Sequence, residues 1–174
     1  MKKNAWLVNS SRGGIILEKD LKKYLAKGEI NAVLDVWDDE PNIDLELMKM
    51  CKVVSSHIAG YSVDGKANGT SMSVRHIAEF FDLDLKKWQA SNLPLENKKI
   101  LVKEGQQGFI EAVKEAYDLV EDDQKLRLTP ENFETNRGQY EPHRDLANYN
   151  FIGDENNCKI IKAMMPEAVI HKDA

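Results

Sequence analysis

The chain has 174 residues, with 24 Lys and Arg against 29 Asp and Glu, for a net charge of -5. Hydrophobic residues make up 42% and charged residues 30%, a globular balance that argues against wholesale disorder and leaves enough apolar surface for a real core. An acidic chain without a basic tract is a poor partner for nucleic acid or an anionic membrane, and apolar runs of only a few residues predict neither a membrane span nor a secretory leader.

The first half alternates. Ala5 to Val8 reads as a short buried strand. Glu18 to Lys27 places Leu21, Tyr24 and Leu25 at helical spacing, with lysines opposite and Gly28 as a stop. Ala32 to Trp37 is a second strand, Leu45 to Met50 a short helix, and Val53 to Ser56 a third strand ending at His57. Strands interleaved with helices predict an α/β fold with a parallel sheet and right-handed crossovers. Val63 to Phe81 carries a helical stripe of Ala67, Ser71, Val74, Ala78 and Phe81. The stretch 83–94 is polar and contains Asn92 and Pro94, so it reads as a linker. Residues 1–82 and 95–174 then form two domains, the second a smaller α/β unit. Its predicted elements are a strand at Lys99–Val102 and a helix bearing Phe109, Ile110, Val113, Ala116, Tyr117 and Val120. Next comes a helix over Pro130–Tyr140, with Thr129 as N-cap and Pro130 at the first helical position. A strand at Tyr149–Ile152, a helix at Asn157–Met165 and a strand at Ala168–His171 complete it.

Cys51 and Cys158 are the only cysteines, which suits a reducing cytoplasmic setting rather than a disulfide framework. His57, His76, His143 and His171 fall in no metal-ligand spacing, so no metal is expected.

Each strand of the first half is followed by an ionisable side chain: Val8 by Arg12, Val36 by Glu40, Val54 by His57. In an open parallel sheet all strand carboxyl ends share one edge, where ligands bind. The three side chains should therefore converge. A guanidinium can grip a carboxylate with two N–H groups. An imidazole can take the proton of a hydroxyl while hydride leaves the same carbon, and an acid can hold that imidazole in one tautomer. This is the set needed to oxidise a 2-hydroxy acid. From the pattern alone a plainer reading stays open: two surface charges and a loop histidine.

The local sequences narrow the choice. Asn9-Ser10-Ser11-Arg12-Gly13-Gly14, Leu34-Asp35-Val36-Trp37-Asp38-Asp39-Glu40-Pro41 and Ser56-His57-Ile58-Ala59-Gly60 occur in this order. They resemble the C-terminal motifs of the D-isomer-specific 2-hydroxyacid dehydrogenases. The extension from Gly60 to Thr70 is similar to members that oxidise a small phosphorylated 2-hydroxy acid in vitamin B6 synthesis and carry an extra C-terminal dimerisation domain. The resemblance covers nearly the whole chain, most closely Asn4 to Thr70.

The fold this implies is the C-terminal half of a Rossmann-like parallel-sheet domain followed by a small α/β dimerisation domain. NAD is the implied cofactor. Arg12, Glu40 and His57 would be catalytic, Asp35 and Gly60 would contact the cofactor, and Tyr61 would reach the substrate. Asp35 could equally be a strand-end cap, Gly60 a turn, and Tyr61 half-buried packing. Leu17 stands where the family has an Asp N-cap, so the following helix should start near Glu18. The sequence contains no GxGxxG loop, which dinucleotide phosphates need in this fold. The chain alone is therefore expected to be inactive and to work with an N-terminal half. An uncovered Ile77, Phe80 and Phe81 would favour a homodimer, formed most simply through residues after Pro94. Two alternatives remain: a non-enzymatic remnant serving as a folded dimerisation module, and a piece of another dehydrogenase of this family.

Overall fold

The computed structural model describes residues 1–94 and 98–164. In chain order its elements are β1 (Ala5–Asn9), α1 (Glu18–Ala26), β2 (Ile30–Leu34), α2 (Leu45–Met50), β3 (Val53–Val54) and α3 (Val63–Phe80). Then come β4 (Lys99–Val102), α4 (Gly105–Ala116), α5 (Leu119–Leu128), α6 (Phe133–Gly138), β5 (Asn150–Gly153) and α7 (Glu155–Met164). The strand predicted at Ala168–His171, and His171 itself, lie outside the described residues.

The elements gather into two compact units that do not follow the linear division at 83–94. One comprises residues 1–60 and 119–141, the other residues 61–118 and 142–174.

In the first unit β1, β2 and β3 form a parallel sheet in that order, with Asn9 opposite Leu34 and Leu34 opposite Val54. All three strands thus end level. The buried face carries Ala32, Leu34 and Val54, packed with Leu21 of α1 and Leu47 and Met48 of α2. β1 is an edge strand rather than a buried one: Trp6 and Val8 are 61% and 65% exposed. β2 ends at Leu34, short of the expected Trp37. Val36 and Trp37 are buried, yet they lie in the loop, so their apolarity reflects core burial and not a sheet ladder. β3 likewise stops at Val54, because the next carbonyl of the β2 loop, that of Asp35, accepts from the His57 amide instead.

α1 opens at Glu18, and Leu17 at the cap makes no side-chain bond. Glu18 and Asp20 place negative charge in the first turn, where the helix dipole favours it. α2 has a working cap: Asp44 accepts from the Glu46 and Leu47 amides at 2.9 Å each. The core also takes Leu126 and Phe133, both fully buried, from α5 and α6. Asp123 of α5 accepts from the Val54 amide at 2.8 Å. Arg127 donates to the carbonyls of Met48 (2.9 Å) and Cys51 (3.0 Å). Burial pushes the Cys51 thiol up to about 12, so it stays protonated and unreactive.

The second unit is built on a parallel β4–β5 pair, with Ile100, Val102 and Phe151 facing Ala112 and Ala116 of α4 and Ile161 of α7. α4 ends at Ala116 instead of running on to Val120. Tyr117 is extended and its ring stacks on His143 at 4.0 Å, which takes the chain out of the helix before α5 begins. The helix expected at Pro130–Tyr140 is a 3-10 turn (Pro130–Asn132) followed by α6. Thr129 does not cap it, since its hydroxyl donates back to the Lys125 carbonyl at 3.0 Å. In α3, Ser71 and Ala78 are buried while Ile77, Phe80 and Phe81 remain exposed. Among the described residues no helix is long and apolar enough to cross a membrane.

The start of α3 is pinned by Asp64. Its carboxylate takes two bonds from the Arg144 guanidinium (2.9 and 2.8 Å), one from the Asp145 amide (2.8 Å) and one from Asn148 (3.1 Å). Burial alone would raise this carboxyl, but the bonds from Arg144 and the Asp145 amide hold it below the ordinary value of 3.8. A carboxyl depressed in the folded state stabilises above its unfolded value, and the benefit is lost as pH falls through the lower folded value. We therefore expect the unit to lose stability below about pH 4. Asp64→Asn should flatten that dependence and cost about 2 kcal/mol at neutral pH, read from urea midpoints across the acid range.

Candidate active site at the carboxyl edge of the sheet

Because the three strands end level, the segments after them meet on one edge. Asn9, buried at the end of β1, shapes the first. Its carbonyl accepts from the Asp35 amide (3.0 Å), its side-chain oxygen accepts from the Ser11 amide (3.2 Å), and its side-chain nitrogen donates to the Arg12 carbonyl (3.0 Å). Arg12 thus rides on a turn fixed from beneath. Its exposed guanidinium donates to the Ser11 carbonyl at 2.6 Å. Among the described residues no carboxylate pairs with it.

The second segment supplies Asp35, Trp37 and Glu40. Asp35 is buried and fully engaged. One carboxylate oxygen accepts from the Ser55 hydroxyl (2.7 Å) and the Ile58 amide (2.8 Å), and the other from the Ala59 amide (3.1 Å). With its carbonyl on the His57 amide at 2.7 Å, Asp35 holds three consecutive N–H groups of the third segment. The Trp37 indole donates to the Ser55 carbonyl (3.1 Å), and the Trp37 amide donates to Glu40 Oε1 (3.0 Å).

Glu40 Oε2 lies 2.8 Å from His57 Nδ1. One carboxylate oxygen is thus anchored by backbone and the other orients the imidazole. With Nδ1–H donating to Glu40, the lone pair sits on Nε2, where no described residue bonds it. His57 has φ of 56°, in the left-handed region. Such a backbone is costly for a side chain of this size and persists only where its surroundings enforce it. Asp35 provides the enforcement.

The expected residues are therefore brought together unevenly. Asp35, Glu40 and His57 form one bonded network, and Arg12 occupies the neighbouring loop without touching them. Gly60 ends the third segment, with no atom within 4 Å of where a Cβ would stand. Tyr61 belongs to the second unit, where the Lys66 ammonium lies 4.2 Å from its ring centre.

Asn9, Trp37 and Ser55 were not singled out from the sequence. An Asn closing an apolar strand before a Ser-Ser pair signals an Asx turn. A buried Trp needs an acceptor for its N–H.

Gly13 sets the approach of the first two loops. A Cβ there would stand 1.9 Å from the Trp37 carbonyl oxygen, which is backbone and cannot swing aside. Gly13→Ala should cost about 3 kcal/mol and displace the Arg12 loop, seen as a lower unfolding midpoint with amide shifts concentrated at residues 9–14.

Residues 1–59 match the family model described as D-isomer specific 2-hydroxyacid dehydrogenase, NAD binding domain. Curated relatives named erythronate-4-phosphate dehydrogenase are similar over most of the chain. The Bacteroides thetaiotaomicron protein is 38% identical over 148 residues, 84% of this chain and 41% of its own length. One from Bacteroides fragilis is 37% identical over 153 residues, covering 87% and 42%. That of Pseudoalteromonas atlantica is 33% identical over 155 residues, covering 84% and 41%. The chain spans about two fifths of the length of these relatives and corresponds to their C-terminal portion. With three strands ending level and these motifs on the loops beyond them, residues 1–59 are similar to the NAD-binding domain of the D-isomer specific 2-hydroxyacid dehydrogenases.

Proposed function

We propose that this chain supplies the catalytic edge of an NAD-dependent dehydrogenase that oxidises 4-phospho-D-erythronate to 3-hydroxy-2-oxo-4-phosphobutanoate in vitamin B6 synthesis. The observation that carries this reading is the Glu40–His57 pair at 2.8 Å, on the same sheet edge as the unpaired Arg12. Arg12 binds the substrate carboxylate through its forked N–H groups and, in the reverse direction, polarises the adjacent C2 carbonyl. His57 Nε2 takes the proton of the C2 hydroxyl. Glu40, fixed by the Trp37 amide, keeps Nδ1 protonated and stabilises the imidazolium that forms. In the reverse direction the same nitrogen returns the proton. Bound NAD would accept the hydride that leaves C2.

The residues fit one end of that cofactor. Ala59 and Gly60 are exposed, so the backbone at the end of the third segment can meet the nicotinamide, while the buried Asp35 carboxylate holds that segment through the Ile58 and Ala59 amides. The pyrophosphate end has no glycine-rich loop in this sequence, so turnover calls for that loop from elsewhere. A second reading is a dimerisation module that retains these side chains without turnover. On the β4–β5 pair, Leu101 faces away from the core opposite Ile152, and both are exposed. This supports self-association through residues after Pro94, testable by light scattering.

The activity test is a chimera in which this chain replaces the corresponding C-terminal portion of the B. thetaiotaomicron relative. NADH formation from 4-phospho-D-erythronate by the chimera, and none by the chain alone, supports the first reading. A folded chimera that binds NAD without forming NADH supports the second.

A further inference from the structure

The loops after β1 and β2 touch at three places, and the third has no role in the chemistry above. At the base, the Asp35 amide donates to the Asn9 carbonyl; midway, Gly13 packs on the Trp37 carbonyl. At the rim, the Gly14 amide donates to the Asp38 carboxylate. Asp38 is itself held, because its own amide donates to Glu18 Oε1 at 2.9 Å. Glu18 is the first residue of α1. One residue of the β2 loop is thus gripped by both elements that follow β1: the Arg12 loop and the helix behind it. Asn9, Gly13, Gly14, Glu18 and Asp38 line a void of only about 10 Å³, so little slack separates the parts.

Asp38 adjoins Trp37, whose amide fixes Glu40 and whose indole fixes Ser55. A displacement at Asp38 would therefore change the spacing between Arg12 on one side and Glu40 and His57 on the other. An acidic side chain is also electrostatically unfavourable on an edge that receives a carboxylate and a phosphate. Spending that carboxylate on the Gly14 amide offsets the cost only if the bond matters. Gly14 sits at φ of 72°, which presents its N–H at the end of the Arg12 turn.

We propose that Asp38, backed by Glu18, is a positioning residue that holds the Arg12 loop in register with the Glu40–His57 loop without touching substrate. The proposal rests on the reading of Arg12 and His57 as the working pair.

The test has two arms. In the unsubstituted 174-residue chain, the Gly14 amide should be protected from hydrogen exchange. Asp38→Ala should speed its exchange by at least about tenfold. Asp38→Asn, which keeps an acceptor oxygen, should restore protection. In the active chimera, Asp38→Ala should raise KM for 4-phospho-D-erythronate about tenfold while kcat falls less than about threefold, and Asp38→Asn should recover most of the KM. An unprotected Gly14 amide in the native chain overturns the brace before any variant is made. So does an unchanged KM in Asp38→Ala. A chimera that is inactive with Asp38 in place refutes the dehydrogenase reading instead, and Gly14 exchange still decides whether the brace exists.

Discussion

His57→Asn in the active chimera should lower kcat by roughly 10²–10⁴, with the unfolding midpoint nearly unchanged. The size follows from removing the group that takes the hydroxyl proton while leaving carboxylate binding and cofactor placement intact. The choice of Asn follows from the backbone. At φ of 56°, most side chains strain the chain, and Asn is among the few that accept the left-handed region readily. His57→Ala should lose the same rate and about 1 kcal/mol of stability as well, because Ala lacks that tolerance. The two variants together separate the imidazole's chemistry from its backbone. A His57→Asn enzyme retaining a tenth or more of native turnover would remove His57 from the mechanism.

Phe133→Ala should destabilise the first unit by about 4 kcal/mol. Phe133 is fully buried among the side chains that also pack Trp37 and Val54. Truncating an aromatic ring there leaves a cavity that the surrounding strands and helices can only partly close. Against a typical total of about 5–15 kcal/mol, this is a large share. Phe133 comes from far downstream in the chain, yet the loss should appear in the sheet. Amide exchange should accelerate at Leu34 and Val54 as much as in α6. Asp123→Ala should act the same way by orphaning the buried Val54 amide and leaving Arg127 without its ionic partner, for about 2 kcal/mol. Exchange that quickens only within residues 119–141 would show that this segment is an appendage and not part of the core.

How much of this was legible in the sequence depended on the range of the interactions. The parallel order and the common edge could be read because short apolar runs, each followed by an ionisable residue, point to a parallel sheet. Of the three side chains expected to meet there, Glu40 and His57 pair, while Arg12 stays on the neighbouring loop. Leu17 fills the cap position without a side-chain bond and α1 begins at Glu18, where an Asp cap would have started it too. Strand lengths were less readable. Val36 and Trp37 are apolar because the loop folds back on the core, and period-2 reasoning cannot tell that from a ladder. Chain order assigned Leu126 and Phe133 to the second domain, and nothing local told that they share a core with Leu34 and Val54. That contact links residues more than sixty positions apart, as the Val54–Asp123 bond shows. Tyr117 ended α4 through a stacking partner, His143, that no local propensity reveals. Asp38 stood in the second motif without a role, and only the crossing of two loops gives it a donor.

The most direct measurement of the central claim is a single turnover of the chimera with 4-phospho-D-erythronate deuterated at C2. Our account predicts deuterium on the reduced cofactor in step with product, and its near abolition by His57→Asn or Arg12→Ala. Deuterium released to water, or transfer that proceeds undiminished without His57, would contradict it.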